Sequence, residues 1–201
     1  MLRRICLALV ILVSALSRSG TAQGTAAPNP TALISTSFGD ITIELLRDRA
    51  PVSTANFIQY ANDRFYDGTI FHRIARGVVI QGGGFDATLR VKPTRPPILN
   101  EATNGLKNVR GSVAMARTVA LRSATSQFFI NVADNPEFDH RGYTPSDFGY
   151  AVFGRVIDGM EVVDKIAGVA TRSVAGMDEV PVEPIVIKSV TVKEEGVKGK
   201  G

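Results

Sequence analysis

The sequence predicts a mainly β fold, a closed or nearly closed antiparallel barrel of about eight strands with two helices. Three observations lead to this prediction: eight short apolar or alternating segments, two segments with apolar residues at helical spacing, and no internal repeat or domain linker after residue 31. A chain of 201 residues is long enough for one domain with a sizeable core. We therefore place the folded domain at residues 31–193.

The first 22 residues have the pattern of a secretory signal peptide. Arg3 and Arg4 precede an apolar stretch at residues 5–16, and small residues follow at 20–22. The apolar stretch is shorter than the roughly 20 residues that a membrane-spanning helix needs, and an uncleaved anchor is the alternative. We expect the protein to be exported, either to the periplasm or fully secreted. Residues 23–30 are expected to form a flexible lead-in and residues 194–201 a flexible tail.

Charge and cysteine content separate this leader from the rest of the chain. Three of the 23 basic residues and none of the 19 acidic residues lie in residues 1–22, so removing them lowers the formal net charge from +4 to +1. This balance gives no argument for nucleic-acid binding. The only cysteine, Cys6, lies in the leader, so we expect neither a disulfide nor a thiolate metal ligand in the mature chain.

The remaining elements are predicted in chain order. Alternating residues predict strands at 32–36 and 40–46, joined by a turn at Phe38-Gly39. Pro51 begins a helix whose apolar residues recur every three to four positions up to Phe65. A second helix is predicted to have an acidic capping box starting at Asp158 and to end at Gly168. Six more strands are expected near residues 70–74, 78–82, 112–117, 127–132, 150–156 and 184–193, with loops at 85–111 and 169–181.

Two stretches carry polar side chains inside apolar runs. Arg73 and Gln81 stand among apolar residues of the first, and Gln127 directly precedes two phenylalanines in the second. A buried cation needs hydrogen-bond partners, and an amide can donate and accept at once. A guanidinium held by amides rather than by a carboxylate would keep donors free for a ligand. The pattern therefore predicts a binding site built on strands.

Other polar or glycine-rich features are interpreted as structural. Gly82-Gly83-Gly84 has neither the phosphate-loop nor the dinucleotide-binding spacing, so it indicates a bulge or a turn. His72 neighbours Arg73 on a strand and is expected to point to the opposite face. His72 and His140 are the only histidines and have no ligand cluster in the sequence, so we expect no metal site and no cofactor.

The ordered motifs IFHRI, VIQGGGF, RGSVAMAR and TSQFFINVAD resemble the cyclophilin family of peptidyl-prolyl cis-trans isomerases, particularly its secreted bacterial branch. The resemblance implies a closed eight-stranded antiparallel barrel with a helix capping each end and a substrate groove on its outside. It also implies a cofactor-independent isomerase that acts on X-Pro bonds of exported proteins and assists their folding. We expect a monomer whose partners are proline-containing peptides and unfolded exported proteins.

The residues that would perform this reaction follow from the same resemblance. Rotation about an X-Pro bond breaks no bond, because its barrier of about 18–20 kcal/mol comes from the partial double-bond character of the C–N bond. A donor aimed at the prolyl nitrogen competes for its lone pair as the amide twists. The resemblance makes Arg73 this catalytic donor and Gln81 the residue that orients it. It makes Phe129 the floor of the proline pocket. It also assigns the following groups to the substrate groove: Gln127, Ala116, the backbone N–H of Arg117, Val78, Val79, Phe138 and Tyr150.

The chain departs from the family pattern at the wall of this pocket. Val78 replaces an aromatic residue, Glu137 stands where an aromatic residue is common, and Phe138 takes the place of a smaller aliphatic residue. Tyr150 stands where many members have histidine. The altered wall predicts peptide binding weaker by about 1–3 kcal/mol and poor sensitivity to cyclosporin-type ligands. The alternative function is a proline-peptide binding module or holdase with little turnover.

Overall fold

The structure, a computed structural model, describes residues 28–194. Within that range the chain forms a series of strands and two longer helices. Their order is β1 (Thr31–Thr36), β2 (Gly39–Leu45), α1 (Pro51–Asn62), β3 (Thr69–Ala75), β4 (Val79–Asp86), β5 (Ser112–Met115), β6 (Phe128–Asn131), β7 (Val152–Asp158), α2 (Met160–Ala167), β8 (Thr171–Val174), β9 (Met177–Pro181) and β10 (Ile185–Lys193).

Eight of these strands close into an antiparallel barrel in the order β1-β10-β3-β4-β6-β5-β7-β2. β2 pairs back with β1, with Thr31 opposite Glu44 and Thr36 opposite Gly39. Closure pairs every barrel strand on both sides, which removes the exposed edges of an open sheet. The predicted mainly β barrel of eight strands and two helices is confirmed.

The two helices cover opposite ends of the barrel. α1 follows β2 and α2 follows β7, and these two strands are antiparallel neighbours with Leu45 opposite Gly154. The helices therefore leave the sheet at opposite ends. Each buries apolar residues in the barrel interior, namely Phe57, Tyr60, Val163 and Ile166.

α1 begins at Pro51, as predicted, but its end and the cap of α2 differ from the sequence-based expectation. The carboxylate of Glu101, distant in the chain, accepts the backbone N–H groups of Val52 (3.0 Å) and Ser53 (2.7 Å) at the start of α1. The capping box predicted at Asp158 is wrong, because α2 has Gly159 as its N-cap, with φ 85° and no side-chain cap. α1 also ends at Asn62, so that Phe65 lies in the turn that follows.

Alternation along the strands divides the buried apolar residues into two clusters. The interior cluster fills the barrel and includes Phe71, Ile74, Ile80, Phe128 and Ile130. A second group, here called the outer cluster, faces the other side of the same strands. It consists of Ala75, Val79, Ala114, Phe129 and Val152, with the partly buried Val78, Leu106, Ala116, Phe138 and Tyr150 packed against it.

Residues 171–181, predicted to be loop, contain the β8–β9 hairpin. Val174 pairs with Met177 across a two-residue turn at Ala175-Gly176, whose φ angles are 53° and 80°. Positive φ at both turn residues matches the right-handed twist of hairpin strands. The sequence prediction was wrong because alanine rarely adopts positive φ, so the turn carries no recognisable signal. β9 packs against β3, which brings the hairpin beside Arg73.

Some predicted segments lie wholly or partly outside the described residues. These are the signal peptide at 1–22, most of the lead-in, and residues 195–201 of the tail. At the start of the described range, Asn29 donates to Glu44 (3.0 Å) and Pro30 is buried. None of the helices between residues 28 and 194 has the length and apolar character needed to cross a membrane.

Candidate active site

A row of polar side chains crosses three adjacent strands on the outside of the barrel. Arg73 on β3 and Gln81 on β4 are direct cross-strand partners, with Arg73 Nη1 3.5 Å from Gln81 Oε1. Gln81 Nε2 in turn donates to Oε1 of Gln127, just before β6, at 3.0 Å. Each side chain thus helps to orient the next one, and we call these three residues the polar row.

A β-bulge turns His72 to the same side of the sheet as Arg73. Between Phe71 and Arg73 the pairing register with β4 shifts, so that two residues of β3 oppose one of β4. Phe71 and Ile74 both point into the interior cluster, whereas His72 and Arg73 both line one external cavity. The expectation that His72 points to the opposite face is therefore wrong, because the extra residue breaks the strict alternation.

His72 is nevertheless almost fully buried in this position. Its ring packs against Phe85 with a centroid separation of 4.4 Å, and it is 6% exposed. Burial, assisted by the positive charge of Arg73, lowers the pKa of His72 to about 4. The imidazole is therefore neutral near pH 7 and adds no second positive charge beside Arg73. Within residues 28–194, no group of three or more His, Cys, Asp or Glu side chains is arranged to hold a metal ion.

The glycine run at residues 82–84 permits the close packing behind the polar row. Gly83 has φ 83°, and a Cβ added to Gly84 would lie 2.5 Å from Gln127 Cγ. Gln127 can therefore lie across the backbone of β4 only because residue 84 has no side chain. The run also lies where the β3–β4 register shifts, between Gly82 opposite Phe71 and Asp86 opposite Thr69, which agrees with the predicted bulge.

Three aromatic rings form the centre of the outer cluster. Phe129 lies 5.7 Å from Phe138 and 5.4 Å from Tyr150, and the latter two are 5.2 Å apart, all in edge-to-face orientations. Phe129 is buried and the other two rings are half-buried. The structure thus brings together the apolar residues expected to form the groove, since Val78, Val79 and Ala116 belong to the same cluster. Glu137 is exposed beside it.

Arg117 joins the outer cluster to a neighbouring loop. Its guanidinium lies 4.9 Å from the centroid of the Tyr150 ring, while Nε donates to the carbonyl of Gly149 (2.9 Å) and Nη2 to that of Pro145 (2.8 Å). The resemblance implied a role only for the backbone N–H of Arg117. That group makes no hydrogen bond to another residue in the described part of the chain. The side-chain contacts were missed because no local sequence pattern links Arg117 to Pro145.

A carboxylate also contacts the arginine of the polar row. Glu179 on β9 forms an ion pair with Arg73, with Oε2 2.8 Å from Nη2, and the two side chains are 40% and 43% exposed. The expectation that amides alone hold this guanidinium is therefore wrong. Glu179 was missed because its hairpin was predicted to be loop. Since a guanidinium has five N–H groups, these two contacts leave three of them available among residues 28–194.

The cavity beside Arg73 has a volume of about 650 Å³. Residues from the barrel and from the hairpin contribute to its lining: His72, Arg73, Phe85, Gln127, Met177, Asp178 and Glu179. The polar row thus borders the outer cluster on one side and this cavity on the other.

Comparison with known proteins identifies the class to which this barrel and its external groove belong. Residues 31–192 match the family described as cyclophilin type peptidyl-prolyl cis-trans isomerase/CLD. The chain is 50% identical over 185 residues to peptidyl-prolyl cis-trans isomerase A of Dickeya dadantii, covering 92% of this chain and 96% of that protein. It is 52% identical over 159 residues to peptidyl-prolyl cis-trans isomerase B of Escherichia coli, covering 79% of this chain and 97% of the relative.

Solved structures show the same relationship. A cyclophilin type peptidyl-prolyl cis-trans isomerase of Cryptosporidium parvum superimposes with a TM-score of 0.68 at 25% identity, covering 84% of this chain and 99% of that one. A second structure of that protein, determined in the presence of the dipeptide Ala-Pro, gives a TM-score of 0.67 at 26% identity. The eight-stranded barrel with two helices is thus the fold of a class of isomerases. The chain belongs to the cyclophilin-type peptidyl-prolyl cis-trans isomerase family and is an enzyme of that class, as the motifs predict.

Proposed function

We propose that the protein isomerises X-Pro bonds of exported proteins at the groove formed by the polar row and the outer cluster. The observation that supports this assignment most strongly is the register around Gln81. Gln81 pairs with Arg73 on one neighbouring strand and with Phe129 on the other. Neighbouring strands lie about 4.8 Å apart. The guanidinium of Arg73 and the apolar pocket around Phe129 therefore lie close together, on either side of Gln81. A proline ring in the pocket would present its nitrogen to Arg73.

In the proposed mechanism Arg73 is the catalytic donor. Twisting the C–N bond removes its partial double-bond character and returns the lone pair to the prolyl nitrogen, where an N–H of Arg73 can donate to it. A charge-assisted hydrogen bond contributes about 1.5–3 kcal/mol, which corresponds to about a 10- to 150-fold acceleration if it forms only in the twisted state. Preferential binding of the twisted amide by the rest of the groove supplies the remainder.

The other groove residues are proposed to bind and orient the peptide. Gln81 orients Arg73, and Gln127 orients Gln81 through the hydrogen bond between their amides. The backbone N–H of Arg117 is proposed to bind the carbonyl that precedes the proline. The proline ring itself would rest on Phe129, with walls from Val78, Val79, Ala116, Phe138 and Tyr150.

The proposed location rests on the leader pattern of residues 1–22. The clients of the enzyme would be unfolded, proline-containing proteins in the periplasm or outside the cell. The enzyme would act on them as a monomer without a cofactor. Mass spectrometry of the protein recovered from periplasmic and culture fractions tests this directly. We expect a chain shortened by about 22 residues; recovery of only the full-length chain in the cytoplasm would contradict export.

The activity is tested by measuring cis-trans exchange of a short Ala-Pro peptide with NMR exchange spectroscopy. The parent protein is compared with Arg73→Ala and with Arg76→Ala, which removes an exposed arginine from the β3–β4 turn. We expect Arg73→Ala to lose about 10- to 150-fold in catalysed exchange and Arg76→Ala to stay within about twofold of the parent. If the parent binds the peptide without accelerating exchange, the protein is a binding module instead.

A further inference from the structure

We propose that Glu179 is a positioning residue of this isomerase, which holds the guanidinium of Arg73 in place before the peptide binds. The inference rests on the proposed role of Arg73 as donor to the prolyl nitrogen. It assigns a part in the reaction to the β8–β9 hairpin, which lies outside the barrel sheet.

The contacts of Arg73 show why a second anchor matters. The hydrogen bond from Nη1 to Gln81 is 3.5 Å long, at the outer limit for such bonds. The contact of Nη2 with Glu179 is 2.8 Å, the usual length of a charge-assisted pair. An arginine side chain that is 43% exposed would otherwise exchange among several rotamers. Holding both terminal nitrogens restricts that exchange and leaves Nε–H and one N–H on each terminal nitrogen free.

The backbone at Glu179 provides a second, independent observation. Its φ is 60°, in the left-handed region that residues with a Cβ rarely adopt. Such strain persists where the surrounding structure fixes it, and it is enriched at functional sites. Here Val180 is buried on one side of Glu179, and on the other Asp178 accepts a hydrogen bond from Ser173 of β8 at 2.6 Å. The hairpin thus holds an unfavourable conformation that directs the carboxylate to Arg73.

A prepositioned donor accelerates the reaction without strengthening ground-state binding. Removal of the carboxylate should therefore lower kcat and leave KM nearly unchanged. We expect Glu179→Ala to lose about 5- to 10-fold in kcat. Glu179→Gln, which retains an acceptor oxygen without the charge, should lose only about two- to threefold.

Two further variants separate positioning from folding and from a general charge effect. Glu179→Gly removes the carboxylate and also relieves the positive φ, so its melting temperature should not fall although its kcat falls as in Glu179→Ala. Glu183→Gln removes a negative charge four residues after Glu179, at an exposed position just beyond β9. We expect its kcat to stay within about twofold of the parent.

A double-mutant cycle with Arg73→Ala completes the test. If Glu179 acts through Arg73, adding Glu179→Ala to Arg73→Ala should lower kcat no further. The proposal is overturned if Glu179→Ala and Glu179→Gly keep the parent kcat, if they raise it, or if the two losses multiply. An inactive parent would instead reject the isomerase assignment of the groove, so failure of that assignment is distinguishable from failure of this inference.

Discussion

Phe128 and Phe129 are consecutive in the chain and almost equally buried, at 0% and 4% exposure, yet they belong to different parts of the molecule. Phe128 points into the barrel and meets the rings of Phe57, Tyr66 and Phe71. Phe129 points outward and meets two half-buried rings at the groove. Burial alone therefore does not distinguish a core residue from a site residue in this barrel; the side of the sheet does.

The largest difference between the two phenylalanines should appear in stability. Phe128→Ala leaves a cavity among fully buried rings, which cannot readily move to fill it. We therefore expect a loss of about 3–5 kcal/mol in the free energy of unfolding. Phe129→Ala should cost clearly less, because half-buried neighbours can collapse onto the space. It should instead abolish most of the catalysed exchange.

Denaturant unfolding and Ala-Pro exchange, measured on both alanine variants, check this contrast. Phe128→Ala should retain the activity of the parent per folded molecule under conditions in which it remains folded. Equal losses of stability in the two variants would show that the outer cluster is energetically part of the core.

His72 is a second case in which burial and side of the sheet disagree. It lies on the outer side of the sheet but is nearly as buried as an interior residue. Its folded pKa of about 4 is below the unfolded value of about 6.5. Between these values the unfolded chain binds more protons than the folded one, so the free energy of unfolding falls as the pH falls. The contribution of His72 to the free energy of unfolding is fully present above pH 6.5, and it declines by about 3 kcal/mol towards pH 4.

Chemical denaturation between pH 7 and pH 4 measures this loss in the parent and in His72→Gln. The variant should show a shallower decline, since the remaining loss comes from other groups. Gln59→Ala, at an exposed position without a titrating group, serves as the control and should decline as steeply as the parent. A His72→Gln profile parallel to that of the parent would mean that burial does not lower the pKa of His72 below its unfolded value.

Particular residues show how much of this could be predicted from the sequence. The barrel strands, the placement of Arg73, Gln81 and Phe129 on them, and that of Gln127 next to β6 follow from apolar periodicity and ordered motifs, which are local signals. The orientation of His72 could not be predicted, because a bulge is a property of two paired strands. Glu179 was missed for a similar reason, since its contact with Arg73 depends on a hairpin whose Ala175-Gly176 turn lacks the usual residues.

The smallest expected effect concerns the wall of the groove. Val78 is partly buried against the outer cluster, and its backbone carbonyl accepts hydrogen bonds from Val132 (3.0 Å) and Asn135 (3.0 Å). A larger side chain can therefore be placed on a fixed backbone. Val78→Phe should strengthen binding of proline peptides by about 1 kcal/mol, roughly fivefold, because it adds apolar contact area. The free energy of unfolding should change little.

Calorimetric titration with a proline peptide and with cyclosporin measures this gain, and Val91→Phe at an exposed loop position is the matched control. An unchanged or lower affinity in Val78→Phe would mean that Phe138 already occupies the space of the missing wall. Sub-micromolar cyclosporin binding by the parent would point to the same conclusion. In either case the outer cluster would be packed as completely as the interior cluster. What distinguishes the outer cluster would then be the polar row beside it, not looser packing.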